Sequence, residues 1–325
     1  MLQPKHNTTA LRAAIAALTV AACIAGPAFA AVDEIDSCDA TCSSNNCKLK
    51  HDLQCCGSSN TNLCDGTGPI TLSNGKDLDM NGFSIRCMCG VKVCDGGVND
   101  LEECTSSDPD CPENFPGTGF EPCSDLSDCG APACNYHAIT MTGTSSKVHN
   151  SDDDPSTIHG RFTSAAINCG DYASSQVVGI QLRELDQSGV QNCAKVLNNV
   201  FVDGAGSAII TNGVASTDEI LDNYISDWGT GIRVTSGFDF LVQHNLIFLK
   251  DGEGQSGINT TGNVNGIEVT NNVIAGQSTV DPIQGSALGF GGIYAENYCD
   301  PDWDDCQDCI DAGFCSNPLI PFSFD

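Results

Sequence analysis

The sequence predicts an all-β fold, a right-handed parallel β-helix in which short strands stack coil upon coil into a solenoid. Three observations support this prediction. From about residue 177 onward, apolar residues alternate with polar ones at the two-residue period of a strand. Gly or Asn interrupts this alternation about every ten residues, as turns do. The pattern then recurs at a nearly constant interval, as expected when each repeat is one coil of a solenoid.

One asparagine anchors each repeat, and four segments of the chain align on it. A single coil cannot bury its own apolar side chains, so successive coils must stack with parallel strands about 4.8 Å apart. Stacked asparagine amides can then hydrogen-bond to one another within a column. We therefore predict a structural ladder that consists of Asn199, Asn223, Asn245 and Asn272.

A second strand in each repeat is often opened by a small residue followed by isoleucine. The residue after that isoleucine should point outward, so these residues should stack into one surface column. Its predicted members are Gln181, Ile210, Arg233, Asn259 and Tyr294. Arg233 and Tyr294, together with Lys195 on the strand before the ladder, are the predicted substrate contacts.

The start of the predicted solenoid carries a further element. Residues 78–85 read Leu-Asp-Met-Asn-Gly-Phe-Ser-Ile. With the four asparagine repeats, this element resembles the right-handed parallel β-helix proteins of the pectin-lyase-like superfamily. The resemblance covers about residues 68–87 and 137–297. It implies the fold and leaves the activity open, because that fold hosts lyases, hydrolases, epimerases, adhesins and uncharacterised surface proteins.

Composition divides the chain into six predicted segments. Lys5 and Arg12 precede an apolar run that ends near Ala28-Phe29-Ala30, which is typical of a cleaved export signal. Two cysteine-dense stretches and the C-terminal residues have too few large apolar side chains to form a core without disulfides. The segments are a signal peptide at 1–30, a Cys-rich N-terminal cap at 31–68, a first β-helix coil at 69–87, a Cys-rich insertion at 88–136, the β-helix at 137–297 and a Cys-rich C-terminal cap at 298–325.

Cysteine usage indicates an oxidising compartment. Loss of Cys23 with the signal peptide leaves 20 of the 21 cysteines, and an even number in an exported chain predicts disulfides. Zinc thiolates are the alternative where cysteines lie close together, at residues 87–89 and 306–309. We expect a secreted protein, extracellular or at the cell surface. The Val-Ala-Ala-Cys stretch at residues 20–23 keeps a periplasmic or lipid-anchored protein as an alternative, and no later stretch has the roughly 20 apolar residues of a membrane span.

The sequence is strongly acidic, with 13 Lys and Arg against 42 Asp and Glu. Loss of Lys5 and Arg12 with the signal peptide leaves 11 against 42, or about −31. Such a charge repels nucleic acid, so no nucleic-acid partner is expected. A polyanionic polysaccharide would need bound cations, which makes Ca2+ (calcium) a candidate structural ligand at the acidic residues 108–110, 152–154 and 300–305. General solubility is the other explanation of the acidity.

Four residues on the ladder side of the repeat are the predicted catalytic candidates. Glu219 and Glu268 occupy equivalent positions two coils apart, on the order of 10 Å. That separation is near the roughly 6.5–9.5 Å between the carboxyl groups of an inverting glycosidase. Asp222 should lie one coil from His244, where a carboxylate can orient an imidazole as a general base. The alternative is that all four are solvated side chains on an acidic surface.

Two functions are compatible with these features. The catalytic signatures known in the superfamily are missing from the sequence, which favours a secreted or cell-surface scaffold with a polysaccharide as its candidate partner. The alternative is a polysaccharide lyase or glycoside hydrolase that uses carboxylates on the β-helix face, with Lys195 or Arg233 near the substrate.

Overall fold

The computed structural model describes residues 32–56, 64–91, 119–122, 134–162, 164–172, 174–212, 218–250, 256–260, 264–276, 282–285, 293–299, 306–313 and 315–316. The predicted signal peptide at 1–30 lies outside these ranges, as do most of the insertion at 88–136 and most of the cap at 298–325. The acidic residues 108–110 and 300–305 also lie outside them.

The predicted all-β solenoid is confirmed, because the described strands form long parallel sheets that the chain visits in turn, coil after coil. The first sheet has ten strands. Each of its strands pairs in register with the strand one coil away, and all of these pairings are parallel. The first sheet comprises Val32–Ile35, Asn46–Leu49, Asp77–Asp79, Lys147–His149, Gln176–Val178, Lys195–Leu197, Glu219–Leu221, Leu241–Gln243, Glu268–Thr270 and Ile293–Ala295.

The other large sheet has eighteen strands and forms two faces, joined where two long strands run through both. The second face comprises Leu53–Cys56, Ile85–Val91, Thr157–Gly160, Gln181–Leu185, the first half of Val200–Thr211, the first half of Tyr224–Val234, Leu246–Leu249, Val273–Ala275, Asn297–Cys299 and Cys315–Ser316. The third face comprises Thr41–Cys42, Ile70–Leu72, Ile139–Met141, Ile167–Asn168, Val190–Gln191, the second halves of the two long strands, Ile258–Thr260 and Ile283–Gly285.

Few described elements lie outside these three faces. Gly119–Pro122 pairs with Ile85–Val91 and is antiparallel to it. Gly237–Phe238 pairs with Val264–Asn265 in a small parallel sheet. A short helix spans Cys306–Asp311. No helix within the described ranges is long and apolar enough to cross a membrane.

The core is a stack of inward columns, one from each face. β-branched and aromatic residues fill it because such side chains pack well on a pleated surface, and a fully buried one contributes roughly 1.5–3 kcal/mol. On the second face the column is almost fully buried and consists of Leu53, Ile85, Ile158, Leu182, Phe201, Ile225, Ile247 and Ile274.

Trp228 is the largest fully buried side chain. Its ring meets that of Phe201 edge to face, with centroids 6.1 Å apart. Gly204 lies one coil away, in register with Trp228, and a Cβ atom there would be 2.6 Å from the indole ring. The close approach of the ring to the backbone therefore requires glycine at this position.

Disulfides occur at both ends of the described stack and in its middle. Cys87, Cys306 and Cys309 form disulfides in the structure, so they are not zinc ligands. Cys169–Cys193 links neighbouring coils, and Cys87–Cys134 links the two ends of the predicted insertion. The other described disulfides are Cys38–Cys55, Cys42–Cys47, Cys56–Cys64, Cys299–Cys306 and Cys309–Cys315.

The cysteine-rich residues 32–56 contribute strands to all three faces. Val32–Ile35 pairs with Asn46–Leu49, which in turn pairs with Asp77–Asp79. Thr41–Cys42 pairs with Ile70–Leu72 on the third face. The stack of parallel strands therefore already includes the first described residues.

Candidate functional site

A ladder of buried asparagines runs along the corner between the first sheet and the second face. Each side-chain oxygen accepts the backbone N–H of the preceding asparagine at 3.0 to 3.1 Å. It also accepts an N–H of that residue's amide group at 2.9 to 3.1 Å. The ladder contains Asn199, Asn223, Asn245, Asn272 and Asn297.

Asn297 is a member of the ladder that sequence reasoning missed. It follows Asn272 by one repeat length, so the period of the repeat could have found it. The repeat around Asn297 was not recognised, because Glu296 precedes it where the other repeats have Asn, Asp or His. The other end is capped by the backbone N–H of Ile180, which donates to Asn199 Oδ1 at 2.9 Å.

The residue before each ladder asparagine forms an exposed or half-buried corner row with left-handed backbone. Asn and Asp tolerate positive φ better than other side chains, and His is also enriched there. The corner row consists of Asn198, Asp222, His244, Asn271 and Glu296, with φ of 55° to 57°. Gly179 occupies the same position one coil earlier, with φ of 69°. Backbone conformation alone therefore accounts for Asp222 and His244 at this corner.

Asp222 and His244 are side by side in the corner row. His244 Nδ1 lies 3.7 Å from Asp222 Oδ1, and the two side chains are 57% and 53% exposed. Water screens a pair this exposed, and 3.7 Å is too long for a hydrogen bond. Asp222 therefore does not fix the orientation of the His244 imidazole in this structure.

Glu219 and Glu268 stack in one outward column of the first sheet, with Leu241 between them. Glu219 forms an ion pair with Lys195 at 2.8 Å. Glu268 accepts a hydrogen bond from the amide of Gln243 at 2.7 Å. Both carboxylates thus have partners within the protein, and the predicted substrate contact Lys195 is one of those partners.

The predicted outward column after the Gly-Ile step is correct only in part. Ile210, Arg233 and Asn259 stack in register on the third face. Gln181 does not join them, because its strand belongs to the second face. Tyr294 does not join them either, because it pairs with Val269 in the first sheet.

Tyr294 occupies the inward position of its strand and packs against the core. Its hydroxyl group lies 3.2 Å from the Thr260 hydroxyl oxygen. Burial raises the pKa of the phenol above its usual value. Arg233 and Tyr294 therefore lie on different sides of a coil, and the structure does not bring them together.

The acidic residues 152–154 form a loop closed by Asn150. The amide of Asn150 donates to the backbone carbonyls of Asp152 and Asp154 at 3.0 and 2.7 Å. Its oxygen accepts the backbone N–H of Gly82 at 3.0 Å. Within the described ranges, no three His, Cys, Asp or Glu side chains converge as metal ligands would. The hydrogen bonds of Asn150 thus account for the shape of this loop.

The second face carries an outward column that sequence reasoning did not single out, and its last five members are aromatic or aliphatic. Tyr224 is 38% exposed, and its ring centroid lies 5.8 Å from that of Phe248 in the adjacent outward column. The column is formed by Thr157, Gln181, Val200, Tyr224, Leu246, Val273 and Tyr298. Each of its last five members directly follows a ladder asparagine. This aromatic and aliphatic column therefore runs beside the polar corner row.

The corner row permits a direct test of the backbone explanation. We expect His244→Gly to raise the free energy of unfolding by about 0.5–1 kcal/mol, because glycine removes the strain of positive φ. The matched control is Gln243→Gly, one residue earlier in a regular strand, which should lower it by about 2 kcal/mol, because it also removes the hydrogen bond to Glu268. Urea unfolding measures both, and a loss of stability in both variants would contradict the explanation.

Two surfaces thus stand out in the described part of the chain. The first is the corner row with its neighbouring aromatic and aliphatic column, and the second is formed by the carboxylates of the first sheet. The first combines exposed polar groups with the exposed ring of Tyr224, whereas the carboxylates of the second are bonded within the protein. Comparison of the chain with family models, with curated proteins and with solved structures finds no match in any of the three.

Proposed function

We propose that this protein is a secreted or cell-surface scaffold whose rigid β-helix binds carbohydrate along the second face. Export through the signal peptide at 1–30 and membership of the pectin-lyase-like superfamily are part of this proposal. One observation carries it: a polar corner row lies beside a partly exposed aromatic and aliphatic column, with one residue of each kind in each of five coils.

This pairing matches the chemistry of a sugar chain. A sugar ring presents a C–H face that packs on an aromatic or aliphatic side chain, and hydroxyl groups at its edge that need hydrogen-bond partners. Tyr224 and its neighbour Phe248 offer the apolar contact. Asn198, Asp222 and His244 offer amide, carboxylate and imidazole groups one coil apart, about 4.8 Å.

Rigidity favours such a binding surface. The ladder asparagines, the stacked core and the Cys169–Cys193 disulfide hold the backbone of the described coils in place before a ligand arrives. A preformed site avoids much of the entropy that a flexible loop loses when it binds. A solenoid also extends the same surface over successive coils, which suits a long polymer.

A polysaccharide-degrading enzyme is the second candidate, and the proximity of Asp222 and His244 at 3.7 Å favours it. The carboxylates of Glu219 and Glu268 would be the other groups involved. Their partners, Lys195 and Gln243, would have to be displaced before either carboxylate could act on a substrate.

The test is co-sedimentation of the oxidised protein with a panel of neutral and acidic polysaccharides, with unsaturated-product absorbance and reducing ends followed in parallel. We expect retention without cleavage. Tyr224→Ala should weaken the retained interaction about tenfold, because it removes roughly 1.4 kcal/mol of ring contact. Tyr172→Ala is the matched control, since Tyr172 is 36% exposed and lies outside the second face.

The possible outcomes separate the two functions. Cleavage of any polysaccharide would replace the scaffold with the enzyme, and Asp222 and His244 would be the first residues to mutate. Retention that Tyr224→Ala and Tyr172→Ala reduce equally would move the binding surface away from the second face. Neither retention nor cleavage of any polysaccharide in the panel would contradict both functions.

A further inference from the structure

The second face carries Arg86, His159 and Arg183 at equivalent outward positions of three successive coils. These three residues are called the cationic column below. The chain has only 13 Lys and Arg against 42 Asp and Glu, so two arginines in one column stand out against its average charge. Their side chains are 38% and 46% exposed, so a solute can reach both guanidinium groups from solvent.

Two nitrogens of the cationic column have no hydrogen-bond partner among the described residues. His159 is only 12% exposed, and its Nδ1 atom has no hydrogen-bond partner among the described residues. The Nε atom of Arg86, one coil away, has none either. A buried polar atom without a partner costs roughly 1–3 kcal/mol, and a bound ion is one of the recognised reasons for it.

The nearby carboxylates do not form hydrogen bonds with these two nitrogens. Asp52 Oδ2 is 3.9 Å from the Arg86 guanidinium, and its other oxygen accepts the backbone N–H of Ser84 at 2.8 Å. Glu184 accepts hydrogen bonds from Arg183 with one oxygen. Its other oxygen is 3.9 Å from His159 Nδ1, which is beyond hydrogen-bonding distance.

A neighbouring arginine, Arg161, forms a close ion pair on this surface and serves as a comparison. Arg161 Nε lies 2.5 Å from Asp186 Oδ2, and its side chain is only 14% exposed. Arg86 and Arg183 differ from it in exposure, and Arg86 differs also in the length of its ion pair. The two exposed arginines therefore have donors that an incoming anion can use.

We propose that the cationic column binds an oxyanion, namely a carboxylate or sulfate group of an acidic glycan. The planar fork of arginine suits both groups, and two arginines about 10 Å apart can hold an anion over the imidazole between them. Identifying the anion as part of a glycan rests on the proposed function, whereas the binding of an oxyanion does not.

The position of the cationic column supports a glycan as the source of the anion. The same outward positions continue through Val202 and Ser226 to Phe248. A chain that stacks near Phe248 and runs along the face would reach Arg183 within three coils, about 14 Å.

The first experiment follows the imidazole of His159 by NMR during pH titration, with inorganic sulfate or with sodium chloride at equal ionic strength. Burial and the neighbouring Arg86 hold the pKa of His159 below its usual value. We expect sulfate to raise that pKa by about 0.5, because a bound anion favours the imidazolium. Arg86→Gln and Arg183→Gln should each abolish the effect, and Lys48→Gln, which removes a positive charge from the first sheet, should preserve it.

The second experiment measures binding of oligogalacturonate, dextran sulfate and neutral dextran. We expect Arg86→Gln and Arg183→Gln to weaken binding of at least one acidic glycan about tenfold each and to leave any dextran binding unchanged. A preference for oligogalacturonate would identify carboxylate, and a preference for dextran sulfate would identify sulfate.

The two experiments separate failure of this proposal from failure of the proposed function. An unchanged pKa of His159 in sulfate would overturn the oxyanion site, even if neutral glycans bind through Tyr224. A sulfate effect that the Arg86 and Arg183 variants abolish, without binding of any glycan, would support the oxyanion site and contradict the proposed function. A Lys48→Gln variant that abolishes the sulfate effect as fully as Arg86→Gln and Arg183→Gln do would also overturn the site.

Discussion

Asn245→Ala is expected to lower the free energy of unfolding by about 4 kcal/mol, because it leaves several buried polar groups without partners. Asn245 is 1% exposed. Its amide donates to the carbonyl of Ile220 and to Asn272 Oδ1, both at 2.9 Å. Its oxygen accepts from the backbone and side chain of Asn223, at 3.1 and 3.0 Å.

Equilibrium unfolding in urea measures this effect, with circular dichroism as the signal. Asn198→Gly is the matched control, because Asn198 is an exposed asparagine of the adjoining corner row and glycine keeps its positive φ. The control should change stability by less than about 0.5 kcal/mol. Similar small losses in both variants would mean that the ladder contributes little to stability.

Removal of the Cys87–Cys134 disulfide is expected to have an effect of similar size. The bond closes a sequence separation of 47 residues, and the chain-entropy estimate for a loop of that length is about 4 kcal/mol. Both cysteines are fully buried where the chain leaves and re-enters the stack. We expect Cys87→Ala/Cys134→Ala to lose that amount in urea unfolding under oxidising conditions.

Cys309→Ala/Cys315→Ala provides the comparison. Its bond closes a separation of only 6 residues, so the same estimate gives about 2.2 kcal/mol. A larger loss from this variant than from Cys87→Ala/Cys134→Ala would contradict loop closure as the source of the stabilisation.

The fold could be predicted from sequence because the repeat is a physical necessity of stacking. The two-residue alternation, the regular period and the aligned asparagines all describe one coil. The register on the ladder side also followed, since the asparagine marks the same point of each coil. Lys195 and Glu219 are therefore adjacent in the structure, as are Asp222 and His244.

The register of the other faces could not be predicted equally well. Gly-Ile pairs occur on more than one face, so they do not mark one point of the coil. Gly179-Ile180 opens a strand of the second face, whereas Gly257-Ile258 opens one of the third. Without a marker such as the asparagine, a shift of face cannot be seen in the sequence.

The cationic column could not be predicted from the sequence for a further reason. Arg86 and His159 are far apart in sequence, although they are neighbours in register. The predicted insertion at 88–136 separates them, so no repeat length connects them. Only the paired strands Ile85–Val91 and Thr157–Gly160 show that their coils touch.

The Cys87–Cys134 bond also has a consequence for how this protein can vary. Its two Cα atoms are 6.0 Å apart, so the chain leaves and returns at nearly one point. The coils on either side therefore pack in the same way whatever the length of the chain between these cysteines, and doubling that length would cost only about 0.6 kcal/mol of closure entropy. We expect a folded domain to be exchangeable at this junction without loss of the solenoid, which makes it a natural point for grafting new modules.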